Sequence, residues 1–231
     1  IDNDGDGYID CNDYDCDSPN GDVDPACQFP GCTDESAFNY DPNVDVVDNE
    51  LCLYSSSATI EQIQGESDSS PYENMPVITE GLVVAVNNDG FYLQEEGGSG
   101  SWSGIWVYND DLDLDVEVGM LVQVEGLVLE FYGLTEILLD NSEYFSILNG
   151  EPASSNSYLA TTGELNNESF ESVYVQISAE CTSVENESGD WILNDGSGDI
   201  LVGDDFIDFN PDLGTVYSVF GILDYEFNEY K

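Results

Sequence analysis

Acidic side chains recur at alternate positions in the run IDNDGDGYIDCND at the start of the chain. Asp2, Asp4 and Asp6 stand at positions 1, 3 and 5 of a twelve-residue calcium loop, and Asp13 stands at position 12. Calcium is a hard cation that takes six to eight oxygen ligands, and alternate residues of a tight loop can turn their carboxylates inward together. This spacing predicts a calcium site.

The residues between these acids fit the same register. Gly7 stands where the loop turns sharply, and Tyr8 offers its main-chain carbonyl oxygen. Asp13 is shorter than the glutamate usual at its position, so bidentate binding there is in doubt. A solvated acidic turn without an ion is the alternative. Further candidate ligands are Asp15 and Asp17, in a second acidic cluster that matches no single loop register and consists of Asp13, Asp15, Asp17, Asn20, Asp22 and Asp24.

The charge of the chain limits its chemistry and its partners. It has 50 Asp and Glu, one Lys or Arg and no His, a formal charge of −49. Histidine-dependent catalysis and a cationic clamp on a phosphoryl group are therefore excluded, and we expect no catalytic residues. Nucleic acid is not expected as a partner, because its binding rests mostly on Lys and Arg. No apolar run approaches the roughly 20 residues of a membrane span, so no membrane insertion is expected.

Cysteines indicate the compartment. Five of the six crowd into a segment with few large apolar side chains, which predicts disulfides and an extracellular, oxidising location. Zinc is the rival interpretation, but no histidine and no pair of CxxC motifs accompanies them. Because five cysteines cannot all pair, we expect the sixth to bond one of them, although it could also be free or link two chains. The six are Cys11, Cys16, Cys27, Cys32, Cys52 and Cys181.

The organisation of the chain changes near residue 77, where runs of β-branched and aromatic residues begin, separated by short turns. The segment GIWVYNDD aligns with DILVGDD, and VGMLVQVEGLVLEF aligns with LGTVYSVFGILDYE. The second alignment matches Gly119 with Gly214 and Gly126 with Gly221. Two copies of one β module follow. The second ends just as its last strand begins to turn, so we expect the natural chain to continue. The predicted divisions are 1–30 (acidic loops), 31–54 (Cys-bracketed repeat), 55–76 (linker), 77–150 and 151–231 (β modules).

Two N-terminal motifs resemble known repeats. DNDGDGYIDCNDYDC is similar to the calcium-binding repeats of the thrombospondin type 3 and dockerin kind, of which only the ion-binding loop carries over. GCTDESAFNYDPNVDVVDNELC resembles a Cys-bracketed repeat of secreted bacterial proteins, which implies a Cys32 to Cys52 disulfide. Five Asp and Asn residues of this repeat could supply metal ligands or serve as ordinary turn residues; they are Asp34, Asp41, Asn43, Asp45 and Asp48.

Residues 60 to 140 resemble the OB-fold module that precedes the catalytic domain of secreted endonuclease/exonuclease/phosphatase-type nucleases, with EFYGLTEI as the most specific part. The resemblance implies a five-stranded barrel with a ligand-binding face, but not nuclease activity, since no catalytic domain is present. Its aromatic residues could stack on sugar rings, although we expect most of them to fill strand faces. They are Trp102, Trp106, Tyr108, Phe131 and Tyr132.

Together these observations predict an all-β protein: two tandem OB-like small β-barrels after a loop-rich region stapled by disulfides and calcium. The predicted function is that of a non-enzymatic extracellular calcium-binding structural protein, a subunit of a bacterial surface filament or matrix that forms homo-oligomers or polymers. One alternative is a surface module that binds glycans or proteins. Another is the accessory OB region of a larger secreted nuclease.

Overall fold

The structure is a computed structural model that describes residues 30–98, 100–109, 112–149, 153–184, 189–203, 206–207, 209–226 and 229–231. Strands dominate it, so the all-β prediction is confirmed. The chain divides into two compact units, residues 1–55 and 56–231. In the part of the chain that the structure describes, no helix has the length and apolar character needed to cross a membrane.

The first unit is small within its described residues. Strands β1 (Pro30–Gly31) and β2 (Val46–Val47) pair in parallel, and a short 3-10 turn follows at Asn49–Leu51. The disulfide implied by the repeat is present, with 4.9 Å between the Cα atoms of Cys32 and Cys52. It ties the two ends of the segment together where few apolar side chains are available to do so.

The first β module is a closed barrel of five strands with flanking elements. The elements are β3 (Ser56–Ser57), α1 (Ile60–Gln64), β4 (Pro76–Val86), β5 (Gly90–Gln94), β6 (Gly104–Tyr108), β7 (Leu121–Phe131), β8 (Leu134–Leu138) and β9 (Phe145–Ile147). The barrel order is β4-β5-β6-β8-β7 and back to β4. Only the β6–β8 pairing is parallel among these five. This order is the OB-fold topology that the resemblance implied.

Strand β4 belongs to both sides of the barrel. Its first half pairs with β7 and its second half with β5, so the strand must bend in the middle. Gly81 lies at this bend, where a Cβ atom would come within 2.9 Å of the Leu93 Cβ atom and 3.0 Å of the Ile60 Cδ1 atom. A side chain there would force the barrel wall away from its core.

Residues 55–76 are not a linker, contrary to the prediction. Thr59 caps helix α1 and Gln62 completes a capping box, which satisfies backbone N–H groups at the start of the helix. Ile60 and Ile63 are fully buried in the barrel core. The sequence indicated one short ordered segment around Ile60 to Ile63 within the predicted linker, and this segment forms helix α1.

The second module repeats the strand order of the first. Its elements are β10 (Tyr158–Leu159), β11 (Tyr174–Ser183), β12 (Trp191–Asn194), β13 (Asp199–Val202), β14 (Val216–Ile222), β15 (Tyr225–Glu226) and β16 (Glu229–Tyr230). The order β13-β12-β11-β14 corresponds to β6-β5-β4-β7. Strand β10 runs parallel to β11, as β3 runs parallel to β4. The predicted internal repeat is therefore visible in the topology.

Strand β16 takes the position at which β8 begins in the first barrel. Glu229 pairs with Glu226, just as Leu134 pairs with Phe131. One further ladder position holds Lys231, whose backbone exchanges hydrogen bonds of 2.9 and 3.1 Å with Asp224. Beyond this start, the described residues place no strand between β13 and β14, and the second barrel is open on that side.

Cys181 is a free, fully buried thiol, so the expectation that it bonds an N-terminal cysteine is wrong. The backbone of Cys181 exchanges hydrogen bonds with Thr215 and Gly214, as Val83 does with Met120 and Gly119 in the first barrel. Cys181 thus stands at the position of a core valine. Free cysteine is among the most buried residue types and behaves there as a small apolar side chain.

Candidate binding cleft between the barrels

The predicted calcium ligands lie outside the described residues, and so do three of the cysteines. These residues are Asp2, Asp4, Asp6, Tyr8, Asp13, Asp15, Asp17, Cys11, Cys16 and Cys27. Calcium binding by the N-terminal loop therefore stays a prediction. Within the described ranges, no group of three or more His, Cys, Asp or Glu side chains is placed to hold a metal ion.

The acids of the Cys-bracketed repeat serve as turn residues where their contacts are visible. Asp34 accepts hydrogen bonds from the Ser36 backbone at 2.9 Å, the Ser36 hydroxyl at 2.7 Å and the Tyr54 hydroxyl at 2.8 Å. These bonds, the Ser36 backbone N–H foremost, hold the pKa of Asp34 below its ordinary value. Asp41 and Asp48 each accept from the backbone N–H two residues later. This pattern is typical of Asx turns.

The two barrels are joined by hydrogen bonds that involve the backbone. The buried Gln94 side chain donates to the Asn156 carbonyl at 3.0 Å and accepts from the Tyr174 N–H at 3.1 Å. The Trp102 N–H donates to the Ser169 carbonyl at 2.6 Å. The Gln94 amide is 2% exposed and bonds to both barrels, so separating them would break two of its hydrogen bonds.

Backbone also meets backbone at this interface. A Cβ atom on Gly104 would lie 2.0 Å from the Ser172 carbonyl oxygen and 2.7 Å from the Val173 nitrogen, so no larger residue fits. Ser172 is fully buried with φ of +60°, a conformation that costs a non-glycine residue free energy. The tight interface stabilises this conformation.

A pair of glutamates lies beside the same interface. Glu171, which is 2% exposed, accepts a hydrogen bond from the Thr135 N–H at 3.0 Å. The Thr135 hydroxyl donates in turn to Glu130 at 2.9 Å. The Oε2 atoms of Glu171 and Glu130 are buried without a hydrogen-bond partner among the described residues. Burial, followed by the negative charge of Glu168, raises the pKa of Glu171 to about 9.

A row of three side chains crosses the outer face of the first barrel. Tyr92 on β5 lies beside Trp106 on β6, which lies beside Glu136 on β8. The ring centroids of Tyr92 and Trp106 are 4.5 Å apart. Alternation along each strand sends these side chains outward while Phe91, Val107 and Ile137 fill the core. In an OB-fold this face, with the loops beside it, is where ligands commonly bind.

The second barrel covers this face and leaves a cavity of about 1120 Å³. Tyr174 and Ile222 pack against Tyr92 and Trp106. The ring centroids of Phe206 and Tyr92 are 6.5 Å apart. The cavity extends into the open side of the second barrel, where Trp191 and Tyr217 line it. Its wall is therefore largely aromatic and apolar, as in most ligand sites.

The aromatic residues singled out from the sequence divide between two environments. Trp106 is 7% exposed, which agrees with the expected packing role, but it packs on the outer face rather than in the barrel core. Phe131 and Tyr132 are 58% and 87% exposed at the β7–β8 turn and stack edge to face. They line the mouth of the cavity and do not fill a strand face.

Glu136 and Tyr92 were not recognised from the sequence. Glu136 occupies an outward position of β8, where an acid would ordinarily face solvent. It is only 6% exposed because the second barrel covers it, and this burial raises its pKa to about 7. No signal in the local sequence distinguishes it from the other outward acids, since the burial arises from contact between the barrels.

Comparisons with known proteins give matches to solved structures alone. No family model matches the chain, and no curated protein is similar to it. The p204 HINb domain matches with a TM-score of 0.35 and 12% identity over 65% of this chain and 88% of that one. The tetrameric p202 HIN2 structure matches with a TM-score of 0.34 and 11% identity over 66% of this chain and 86% of that one. The structure of fission yeast Pot1 and ssDNA matches with a TM-score of 0.34 and 12% identity over 79% of this chain and 83% of that one.

These matches overturn one prediction. Nucleic acid was excluded as a partner on charge, yet one of the similar structures holds single-stranded DNA. Net charge leaves out base stacking on aromatic side chains, which requires no lysine or arginine. The exclusion is therefore wrong. At these identities and TM-scores the matches assign no ligand to this chain.

Proposed function

We propose that the chain is a non-enzymatic, extracellular, calcium-binding structural protein that forms part of a bacterial surface filament or matrix. The observation that supports this most directly is the interface between the barrels. The Gly104 backbone fits against Ser172, and the Gln94 amide is shared by both barrels, so backbone contacts and hydrogen bonds join the two barrels. A subunit that holds a fixed geometry in an assembly needs such a connection more than a flexible tether.

Two further features fit an extracellular structural role. The Cys32 to Cys52 disulfide suits an oxidising compartment. A charge of −49 favours a medium rich in cations, and the N-terminal calcium loop would neutralise part of it.

Calcium is expected to drive assembly of the purified chain. In about 1 mM calcium, in the range of extracellular calcium sites, sedimentation velocity should show species that grow with protein concentration and dissociate in EGTA. Removing two loop ligands with Asp4→Ala and Asp6→Ala should abolish this growth, whereas Asp113→Ala, at an exposed residue outside the loop, should not. A calcium-loaded chain that stays monomeric at every concentration would refute the proposal.

The cleft supports a second candidate, a surface binding module for glycans or proteins. Its specific observation is the Tyr92 and Trp106 pair on the OB-fold face. Ring stacking on such a pair contributes about 1–3 kcal/mol per ligand ring. An array of glycans and single-stranded oligonucleotides should give a ligand whose binding Trp106→Phe weakens and Trp106→Ala loses. Equal binding by both variants and the unchanged chain would refute this candidate.

A further inference from the structure

Glu136 presents a carboxyl group to the cleft without a partner. Its side chain is 6% exposed, and it lines the cavity between the barrels. In the described part of the chain, no N–H or O–H group donates a hydrogen bond to this carboxyl, and burial alone perturbs its pKa. A buried carboxylate without compensation is costly, so it either keeps its proton or meets a cation.

The groups around Glu136 favour a cation. Trp106 is its neighbour on the adjacent strand, and Tyr92 lies against Trp106. The face of an aromatic ring attracts positive charge, most strongly when water is excluded. Asp89 and Asp224 also line the cavity, against Lys231 as the one basic residue of the described lining.

The kind of cation follows from the ligands available. Calcium and magnesium require several oxygen ligands around the ion, whereas the neighbours of Glu136 in the row are aromatic rings, and the described residues hold no group of three acidic side chains placed to bind a metal. An ammonium group whose hydrogens are replaced by methyl groups is weakly hydrated and can contact rings and a carboxylate at once. The cavity of about 1120 Å³ also exceeds the space that a small ammonium ion fills, so it has room for the rest of the molecule.

We propose that the cleft binds an organic cation, with its ammonium group held between the carboxylate of Glu136 and the rings of Trp106 and Tyr92. This inference rests on the second candidate function, that the cleft takes a ligand, and names the chemistry of that ligand. The cation belongs to a free molecule or to a methylated lysine side chain of another protein. Both present the same group to the site.

The test compares choline with 3,3-dimethylbutan-1-ol, its neutral isostere, by titration calorimetry and tryptophan fluorescence at low salt. Choline should bind at least about tenfold more tightly than the alcohol, because only choline carries the charge. Glu136→Gln should remove most of this preference, whereas Glu117→Gln, an exposed acid outside the cleft, should retain it. In the unchanged chain the preference should grow between pH 6 and 8, as Glu136 ionises, and in Glu136→Gln it should not.

A peptide with trimethyllysine, beside the same peptide with norleucine, identifies the source of the cation. Binding of choline and the peptide shows that the ammonium group suffices, and binding of the peptide alone shows that a protein supplies it. Equal affinity for choline and the alcohol, with no preference for trimethyllysine over norleucine, would overturn the inference. If a glycan or oligonucleotide then still binds through Trp106, the inference fails while the binding candidate stands. If no probe binds, both fail.

Discussion

Gly104→Ala is expected to lower the stability of residues 56–231 by about 3 kcal/mol, the upper end of typical overpacking costs. The new Cβ atom would lie 2.0 Å from the Ser172 carbonyl oxygen and 2.3 Å from its carbonyl carbon. Both are backbone atoms, so no side-chain rotation relieves the contact. The barrels must separate, or β6 must shift in the wall of the first barrel.

Two measurements check this result. Thermal unfolding gives the loss of stability, and hydrogen exchange at the Trp102 and Tyr174 amides reports the interface, since both amides donate across it. Gly100→Ala is the control, because a Cβ atom there meets nothing within 4 Å. Equal melting temperatures for the two variants, with unchanged exchange, would show that the barrels do not depend on this contact.

The first barrel was predictable because its strands are runs of β-branched and aromatic residues, of which β7 alternates regularly between buried and partly exposed positions. In β7 the buried residues Val122, Val124 and Val128 stand at even spacings, and Gly126 fits where a Cβ atom would meet Ile137 and Leu138. The second module also repeats the strand order of the first. A Cβ atom on Gly221, the counterpart of Gly126, would meet no atom within 4 Å, because the strand that would face it is only begun at β16. Strand pattern predicts pairing, but not which barrel is closed.

The contacts between the barrels could not be predicted. Glu136 and Glu171 look like ordinary surface acids in a chain with 50 acidic residues. Their burial depends on the docking of two modules, which leaves no periodic signal in either one. The disulfide predicted for Cys181 was wrong for a related reason. The number of cysteines suggested a bond, whereas the aligned residue Val83 indicates a position in the core. The amino-acid composition gives the number of acidic residues in the chain. The docking of the two barrels determines which of them are buried.

The stability of residues 56–231 is expected to fall as the pH rises from about 5 to 9, and Glu171 is the main cause. Its pKa is about 9 when folded, against an ordinary value of 4.5. A raised carboxyl pKa means that the folded state holds a proton that the unfolded state has lost. The resulting contribution is complete below the unfolded pKa and is lost as the pH rises through the folded one.

The size of the slope follows from the number of retained protons. Each proton that the folded state retains lowers the free energy of unfolding by about 1.4 kcal/mol for every unit by which the pH rises. Glu136, with a pKa of about 7, adds to the slope below neutrality, and Glu171 alone carries most of it from pH 7 to 9. The groups that face Glu171 are Glu168, Glu130 and Asp224, and Tyr230 donates to Glu168 at 2.6 Å. These acids oppose its ionisation.

Glu171→Gln should therefore flatten the profile between pH 7 and 9 and make the variant more stable than the unchanged chain at pH 9. The amide oxygen of glutamine can still accept the hydrogen bond from the Thr135 N–H, so the interface is preserved. Urea unfolding at each pH measures the slope, and Glu66→Gln, at an exposed position of the same unit, is the control. If Glu171→Gln and Glu66→Gln lose stability equally from pH 7 to 9, Glu171 carries no proton in the folded chain. The barrels would then tolerate a buried carboxylate at their interface.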